Sequence, residues 1–493
     1  MTNSYHPDSA RVPGDETDVE ADEQPNDAGV TLTLTALIIL PLMLIAGFAV
    51  DLGGWYVTAS QAQSASDAAA LAGVIWMPNE VKAREAALEL AEQNGFVDGV
   101  NATIVTTPHG ANRFEVKIET PGEMVFSSLA LDPITIARGA IAEYSPPLNM
   151  GSPTNVLGLG TYTVGGETPS NAWSGMMGFC VNPTWGDLRS FRTTDSKCGA
   201  VPSPWHDPGG YLWIIDVPAG SVNPVTVNIF DPGYCTPANR ATHHNEGGPP
   251  KEQGNIHYRF TLYEPDNTPY DNTDNTEYGA PYQPATAESC EAFTPAFTLP
   301  AGTTGRWVLR SQIQNNNSTN GQNYFSLWAD TNAHTGQCST ITDPTCVGIY
   351  AADFMPVRTA SFDDPAIFYL AEVDPVYQNN KLEISSWDLG EGMESVQILD
   401  PAGNEMPFTY ETDDGVHSGS SEPCNDGNEC LWVTNKIFNG RLVRMTIDLS
   451  GLPWGSFPDE WFQVQYNKTA ADDSYDWTTW GVRVLGDPIR LVD

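Results

Sequence analysis

The sequence predicts an α+β protein that is mostly β, with a single N-terminal transmembrane helix. Residues 30–50 carry no charge over 21 positions. Beyond about residue 150, short apolar runs alternate with Pro, Gly, Asn and Asp, which is typical of antiparallel β-sandwiches. Two stretches of this β-rich part also repeat one another. We therefore predict an acidic tail, a helix with an Ala-rich extension, a small α-β-β-α-β unit and two tandem β-sandwich copies, at residues 1–29, 30–76, 77–147, 148–360 and 361–493.

The apolar stretch is long enough to cross a membrane, because a hydrocarbon core of about 30 Å needs roughly 20 helical residues. A cleavable secretory signal is the alternative. Such a signal begins with basic residues and has a shorter apolar core, whereas the tail before this stretch is acidic and holds Arg11 as its one Lys or Arg. We expect the tail to be disordered and the helix to be kept as an anchor.

The cysteines indicate which side of the membrane the bulk of the chain faces. All eight follow the span, and an even set on one side predicts disulfides in an oxidising compartment. The tail is then cytoplasmic and the rest extracytoplasmic. Short loops favour two pairs and elimination would give two more: Cys338 with Cys346, Cys424 with Cys430, Cys180 with Cys198, and Cys235 with Cys290. Structural zinc is a weaker interpretation, because paired C-x2-4-C spacing is missing.

The overall charge limits the partners of the chain. A formal net charge of -40 and a pI near 4.2 would repel nucleic-acid phosphates and disfavour close binding to anionic lipid headgroups. The partners that we expect are therefore the bilayer itself and other proteins, with no nucleic acid.

The segment after the span is dominated by small side chains. Residues 55–73 are rich in Ala, Ser and Gly, and Gln63 and Asp67 are spaced one helical turn apart. Small side chains allow close helix approach, so this segment is predicted to pack against something, with a solvated Ala-rich stalk as the alternative. Asn79 and Gly95 then bracket a predicted helix as N-cap and C-cap. An alternating strand, a short helix over MVFSSLAL and a last strand follow.

The β-rich part contains an internal duplication. Residues 211–233 align without a gap on 368–390, residues 260–265 match 396–401, and GRWV at 305–308 matches GRLV at 440–443. The difference in residue number between matched positions is smaller for the second match than for the first. The first copy therefore contains about 21 extra residues between these two matches. That insertion, at 235–255, is expected to be a surface loop.

Candidate chemistry is sparse, and we expect neither an enzyme nor a bound cofactor. The insertion holds His243, His244 and Glu246, which could bind a metal, although exposed polar residues are the commoner reading. The loop 265–278 is rich in carboxylates, namely Asp266, Asp271, Asp274 and Glu277, and oxygen-rich loops of this kind can hold calcium. Its spacing does not match an EF-hand, so ordinary turn residues are the favoured interpretation. Nucleophile motifs are missing. A hydrolase whose catalytic carboxylate pair is not marked by any motif is the least favoured alternative. Six tryptophans could stack on sugars or belong to the core: Trp173, Trp185, Trp205, Trp461, Trp477 and Trp480.

The stretch from the span into the Ala-rich segment resembles the N-terminal domain of the TadE/TadG-like proteins of Flp (tight-adherence) pilus assembly. That family shows a hydrophobic span, a Val-Asp-Leu-Gly turn into an aromatic residue, and then Gln-x-x-x-Asp-Ala-Ala-Ala-Leu-Ala. The matching positions are Asp51, Gly53, Tyr56, Gln63, Asp67, Ala70, Leu71 and Ala72. The resemblance implies a single-pass envelope protein whose partners are other pilus-assembly membrane proteins. A surface-displayed adhesin or carbohydrate-binding protein on the same anchor, with a glycan or matrix ligand, is the alternative.

Overall fold

A computed structural model describes residues 28–158 except 78, 111 and 130, and residues 172–492 except 179–185, 190–204, 220–223, 231–257, 267, 269, 271, 273, 285–291, 315–321, 332–333, 362–364, 391–392, 424–428, 435, 469–473 and 487–488. Residues 1–27 of the predicted tail and the whole insertion 235–255 lie outside the described residues. The described chain forms two compact units. The first lies within residues 1–68, 88–105 and 116–140, and the second within 69–87, 106–115 and 141–493.

The N-terminal helix α1 (Ala28–Val74) is continuous from the apolar stretch through the Ala-rich segment. Pro41 lies inside it, and the Leu, Ile and Met side chains before residue 50 are exposed. Only 6% of its most apolar window is buried within the protein. By length and composition α1 can cross a membrane, with its apolar side chains left for lipid.

The small predicted unit is built around a second helix and three strands. Helix α2 (Glu80–Gln93) follows Asn79, whose side-chain oxygen accepts the Lys82 N–H at 3.2 Å as an N-cap. The helix is followed by Gly95, whose φ of +92° is that of a C-cap glycine. The strands are β1 (Thr103–His109), β2 (Arg113–Pro121) and β3 (Thr135–Tyr144).

The predicted second helix of this unit is only a 3₁₀ turn, Ser127–Leu129. Ser127 and Ser128 are weak helix formers, because their hydroxyls compete for nearby backbone groups, and the Ser128 hydroxyl donates to the Val125 carbonyl at 3.5 Å. Pro133 also disfavours a helical conformation at the residue before it. A fourth strand that the sequence analysis assigned elsewhere completes the sheet: β25 (Ile489–Val492) pairs antiparallel with residues 141–144 of β3, in the order β1-β2-β3-β25. The last residues of the second sandwich copy therefore belong to this sheet.

The rest of the chain is antiparallel β structure in two large sheets. Its first strands are β4 (Met150–Gly151), β5 (Val156–Leu157), β6 (Ala172–Met177), β7 (Tyr211–Val217), β8 (Val225–Phe230), β9 (Tyr258–Tyr263), β10 (Phe293–Leu299), β11 (Gly305–Ile313), β12 (Gln322–Thr331), β13 (Gly348–Ala351) and β14 (Phe354–Ser361). The later strands are β15 (Ala366–Glu372), β16 (Lys381–Trp387), β17 (Met393–Leu399), β18 (Thr409–Thr412), β19 (Ser418–Ser420), β20 (Glu422–Pro423), β21 (Glu429–Trp432), β22 (Leu442–Asp448), β23 (Trp461–Lys468) and β24 (Ser474–Leu485).

Both sheets run continuously through the two predicted copies. One has the order β10-β8-β12-β6-β14-β24-β16-β22-β18-β19, with β5 paired to β12, and the other has the order β20-β21-β17-β23-β15-β4-β13-β7-β11-β9. In the first sheet β14 and β24 join the copies, and in the second β15 and β4 do so. The two copies therefore share one two-layered structure.

The strand order also shows how the copies correspond. Strands β7, β8 and β9 occupy the same relative places as β15, β16 and β17, in agreement with the first two sequence matches. The GRWV and GRLV match is wrong, because β11 and β22 lie in different sheets. The equivalent of β11, which lies between β7 and β9, is β23, which lies between β15 and β17. Short matches of four residues carry too little register information to identify a strand.

Aromatic side chains hold the two sheets together in both copies. The ring centroid of Phe325 in β12 lies 5.7 Å from that of Trp213 and 5.7 Å from that of Tyr258, and both partners belong to the opposite sheet. Trp480 of β24, the equivalent strand, lies 5.9 Å from Phe368. These rings are buried, and large aromatic residues dominate the energetics of such cores. One aromatic residue on equivalent strands thus anchors each copy.

One disulfide joins Cys338 and Cys346, whose Cα atoms are 5.6 Å apart. Cys430 is also disulfide-bonded. The other candidates of the sequence analysis lie outside the described residues: Cys180, Cys198, Cys235, Cys290 and Cys424.

Candidate functional site

The motif aspartate of α1 organises the loop that precedes β3. Asp51 is buried, and its carboxylate accepts the backbone N–H groups of Val125, Phe126 and Ser127 at 3.1, 2.9 and 2.6 Å. Ser127 begins the 3₁₀ turn, so its N–H is a donor that the turn leaves unpaired, and residues 125 and 126 directly precede it. Trp55 adds a further bond, because its Nε1 donates to the Glu123 carbonyl at 2.8 Å. The acidic position of the motif therefore fixes a loop that is distant in sequence.

The Gln and Asp of the motif tie α1 to the middle of β3. Gln63 Nε2 donates to Asp67 Oδ1 at 2.8 Å and to the Gly139 carbonyl at 3.2 Å. The Ser66 hydroxyl, which lies between them, donates to the Arg138 carbonyl at 3.2 Å. The one-turn spacing thus holds the amide in place while it reaches a backbone carbonyl outside the helix.

The Ala-rich end of the motif is used for packing within this chain. Ala69 and Ala70 are fully buried, and Leu71 and Ala72 are partly buried. A Cβ at Gly73 would lie 2.5 Å from Phe114 Cε1 and 2.9 Å from the Ala83 carbonyl oxygen. The segment is therefore not a solvated stalk, and these small side chains are not a free docking face.

The motif residues nearest the apolar stretch face outward instead. Nothing lies within 4 Å of a Cβ placed at Gly53, and Tyr56 is 78% exposed. Gly53, Tyr56 and the exposed Val57 are three and four residues apart, so they share one face of α1. This face, which we call the Gly53 face, lies just beyond the apolar stretch and has no contact with the described part of the chain at Gly53.

The β-rich unit contains a cleft of ≈ 520 Å³ on the outer surface of the sheet that holds β16, β22 and β24. Three residues that are paired across these strands form its floor: Ser385 of β16 lies between Arg444 of β22 and Gly481 of β24. Small residues at 385 and 481 leave space above the floor, and Phe354 packs onto Gly481, since a Cβ there would lie 2.8 Å from Phe354 Cε1. The volume is within the range of small-ligand sites.

Three arginines line the cleft, and two of them are neutralised. Arg483 binds Glu383 at 2.8 Å, and Arg490 binds the buried Glu143 at 3.2 Å. Arg444 forms no ion pair with any residue that the structure describes, although Glu411 is its cross-strand neighbour on β18. In a chain with a net charge of -40, Arg444 is the lining cation that is left for a ligand.

Aromatic and apolar residues also line the cleft, together with the carboxylate of Asp353. They belong to residues 144–148, to Trp205 and to residues 352–354. Trp205 is 38% exposed. Burial raises the pKa of Tyr144 above its usual value, so its hydroxyl stays protonated at neutral pH. The cleft therefore combines a cation, a hydroxyl group and aromatic surfaces.

The other tryptophans that the sequence analysis singled out belong to the core. Trp173, Trp461, Trp477 and Trp480 are buried, and Trp185 lies outside the described residues. Trp205 differs from them by lying just before the Asp-Pro-Gly-Gly turn at 207–210 rather than in a strand, which was the available signal for its exposure.

The candidate metal ligands do not converge in the described residues. His243, His244 and Glu246 lie outside them, as does Asp271. Asp266 accepts the Thr268 N–H at 2.7 Å, and the Thr268 hydroxyl donates to Asp266 at 2.9 Å and to Asp274 at 3.0 Å, so both carboxylates serve turn hydrogen bonds. Among the described residues, no group of three or more His, Cys, Asp or Glu could hold a metal ion.

Comparison with known proteins assigns the N-terminal segment. Residues 29–84 match the family described as "Putative Flp pilus-assembly TadE/G-like", which confirms the resemblance found in the sequence. The chain carries a TadE/G-like domain there. No curated protein matches. Among solved structures, the crystal structure of the PBSX exported protein XepA is similar at 10% identity, with 59% of this chain and 92% of that chain covered and a TM-score of 0.14.

Proposed function

We propose that this chain is a single-pass, membrane-anchored envelope protein of a Flp/Tad-type pilus-assembly system, with a cytoplasmic N-terminus and an extracytoplasmic β-rich part. The carrying observation is the TadE/G-like match over residues 29–84, which spans the apolar stretch and every motif residue. The Cys338–Cys346 disulfide supports export of the β-rich part, because disulfides persist in oxidising compartments.

The Gly53 face is the proposed docking surface for another membrane protein of the assembly. Ala69 and Ala70 are already occupied within this chain, so a partner helix would use the outward side of α1. A glycine there allows close backbone approach, and Tyr56 adds an exposed aromatic ring that is suited to an interface.

The test exploits the empty space at Gly53. Nothing in the described part of the chain lies within 4 Å of a Cβ placed at Gly53, so Gly53→Trp adds a large side chain to an open face, and a loss of the complex reports a partner. The full-length protein is purified from native membranes, and pilus-assembly proteins that co-purify are quantified by mass spectrometry. We expect G53W to reduce them strongly while leaving the melting temperature unchanged.

Val81→Trp is the matched control, because Val81 is an exposed residue on α2 outside the Gly53 face. It should leave the co-purified proteins unchanged. Equal recovery with wild type and G53W would contradict the docking surface, and recovery of no pilus-assembly protein with wild type would contradict the function itself.

The cleft favours a second candidate, a displayed binding protein for an acidic glycan. Arg444 can bind a carboxylate through charge-assisted hydrogen bonds, and Trp205 offers an aromatic face on which a sugar ring can stack. Binding of such a ligand is compatible with the membrane anchor and with a location in the cell envelope.

Removal of one charge-assisted contact should cost about 1.5–3 kcal/mol, or about 10- to 150-fold in affinity. Full-length protein in nanodiscs is titrated with uronate-containing oligosaccharides, and Arg444→Gln is compared with wild type. Arg138→Gln removes the same charge at an exposed position outside the cleft. No binding by wild type, or equal loss in both variants, would contradict this candidate.

We also propose that the protein is not an enzyme. The cleft offers a binding surface, and its two lining carboxylates, Asp353 and Glu383, are paired with Arg189 and Arg483 at 2.5 and 2.8 Å. Hydrolysis of acidic oligosaccharides by the purified protein would contradict this proposal.

A further inference from the structure

The loop between β2 and β3 packs against the apolar stretch of α1. Gly47 lies inside that stretch, and a Cβ placed there would be 2.7 Å from Phe126 Cγ. The glycine therefore allows the Phe126 ring to lie directly on the helix. Gly47 precedes Asp51 by four residues, which is about 6 Å along a helix axis. Phe126 is thus held at the level of residues that need lipid around them.

The loop carries exposed apolar side chains at this level. Phe126 is 48% and Val125 66% exposed, and Leu131 is exposed as well. The eight residues 124–131 (MVFSSLAL) contain no charged residue, whereas Glu123 and Asp132 flank them on both sides. An uncharged apolar segment between two carboxylates has the pattern of a chain that enters an apolar phase and returns to water.

The backbone of the loop is prepared for a low-dielectric environment. Asp51 accepts three consecutive N–H groups, from residues 125, 126 and 127. The Glu123 carbonyl accepts from Trp55, and the Leu131 N–H donates to the Ser127 carbonyl at 2.9 Å. Unsatisfied backbone groups are costly in lipid, so these bonds remove the main obstacle to insertion.

We propose that residues 124–129 and 131 belong to an interfacial loop that inserts Val125, Phe126 and Leu131 into the outer leaflet beside α1. The occupant of this apolar surface is lipid at the boundary between headgroups and acyl chains. Two observations favour lipid over a protein partner: the Phe126 contact with the apolar stretch and the absence of charge in the loop. Interfacial elements insert by about 5–10 Å, so we expect these side chains to reach that depth. The loop has no basic residue, so insertion is driven by apolar burial rather than by attraction to anionic headgroups. The protein would then hold the membrane at two points, which fixes the direction of α1 relative to the surface.

The experiment uses the photo-crosslinking amino acid p-benzoylphenylalanine in the full-length protein in native membranes. Phe126 is replaced by it in one variant and Val125 in another, which changes little because both side chains are exposed. Val105, an exposed valine on β1 in the same compact unit, is the matched control. Ile38, in the middle of the apolar stretch, reports separately whether α1 is in the bilayer.

After illumination, lipid adducts are measured by mass spectrometry of the intact protein. We expect lipid adducts at 38, 125 and 126, and several-fold fewer at 105. Adducts at 38 without adducts at 126 would overturn the interfacial loop while leaving the anchor in place. Crosslinks from 126 to another protein would also overturn it. An absence of lipid adducts at 38 would overturn the anchor, on which this inference rests.

Discussion

Asp187 is a buried carboxylate that supports the side chains of the cleft indirectly, and we expect its replacement to be strongly destabilising. It is fully buried and binds three donors: the Tyr211 hydroxyl at 2.7 Å, the Met177 N–H at 2.6 Å and the Arg189 N–H at 3.1 Å. Arg189 in turn binds Asp353 and lies 5.0 Å from the Phe354 ring. Asp187 therefore connects the core to the side chains that shape the cleft.

The magnitude follows from these partners. Asp187→Ala leaves the Met177 N–H group without this acceptor, whereas the Arg189 N–H keeps the Tyr211 hydroxyl at 3.1 Å and that hydroxyl keeps its contact with Thr479 at 3.2 Å. A buried donor left unsatisfied costs about 1–3 kcal/mol, so the loss should be about 1–3 kcal/mol. Asp187→Asn keeps one oxygen acceptor but turns an NH2 group toward a donor, and should cost about 1–3 kcal/mol.

Hydrogen–deuterium exchange of the peptide 172–178 measures this loss locally. A loss of about 2 kcal/mol would accelerate exchange there by about 30-fold. Asp448→Ala is the control, because Asp448 is an exposed turn carboxylate that accepts the Ser450 N–H, which water can replace. Unchanged exchange in D187A, or an equal change in the control, would refute the reasoning.

Three further variants test packing, electrostatics and crosslinking. Gly73→Ala should cost about 1–3 kcal/mol by overpacking, because its Cβ would meet Phe114 and the Ala83 carbonyl; Phe114→Leu should restore part of the melting temperature, and a G73A protein as stable as wild type would contradict this close packing. Burial raises the pKa of Glu372, with nearby carboxylates adding to the shift and Asn149 opposing it. Stability from such a group is present below the unfolded pKa and lost as pH rises through the folded pKa; Glu372→Gln should therefore melt higher than wild type at pH 7, with a gap that closes toward about pH 4, and an equal gap at both pH values would argue against it. The Cys338–Cys346 bond closes a short loop with a sequence separation of 8, so changing both cysteines to Ser should cost about 2.5 kcal/mol; a melting temperature insensitive to this change would contradict the loop-entropy estimate.

The sequence predicted the parts of the fold that depend on local pattern. The apolar stretch at 30–50, the Asn79 cap and the alternation of Phe114 with its neighbours are all readable from spacing, and the helices and strands follow them. The duplication was recognisable wherever matches were long enough to include a whole strand and its turn.

The remaining features depend on contacts between distant residues. The bonds from Asp51 to residues 125–127, the pairing of β25 with β3 and the continuity of both sheets through the copies join positions that are between 74 and several hundred residues apart. The cleft also escaped prediction, because Arg444, Ser385 and Gly481 are brought together by register alone. A sequence pattern predicts that a segment forms a strand, but it does not predict which strand lies beside it.

The pairing of β25 also affects how the function can be tested. A chain ending near residue 147 would lack β25 and would leave the edge of β3 unpaired, and exposed strand edges favour aggregation. Variants of the full chain are therefore the appropriate reagents.

The most direct test of the central claim is to delete the gene in its host and count surface pili by electron microscopy. The account predicts that pili are lost, that the full-length chain restores them, and that Gly53→Trp does not, because it blocks the Gly53 face without disturbing the fold. Normal piliation without the gene would contradict the account and would leave a displayed binding protein that uses the same anchor.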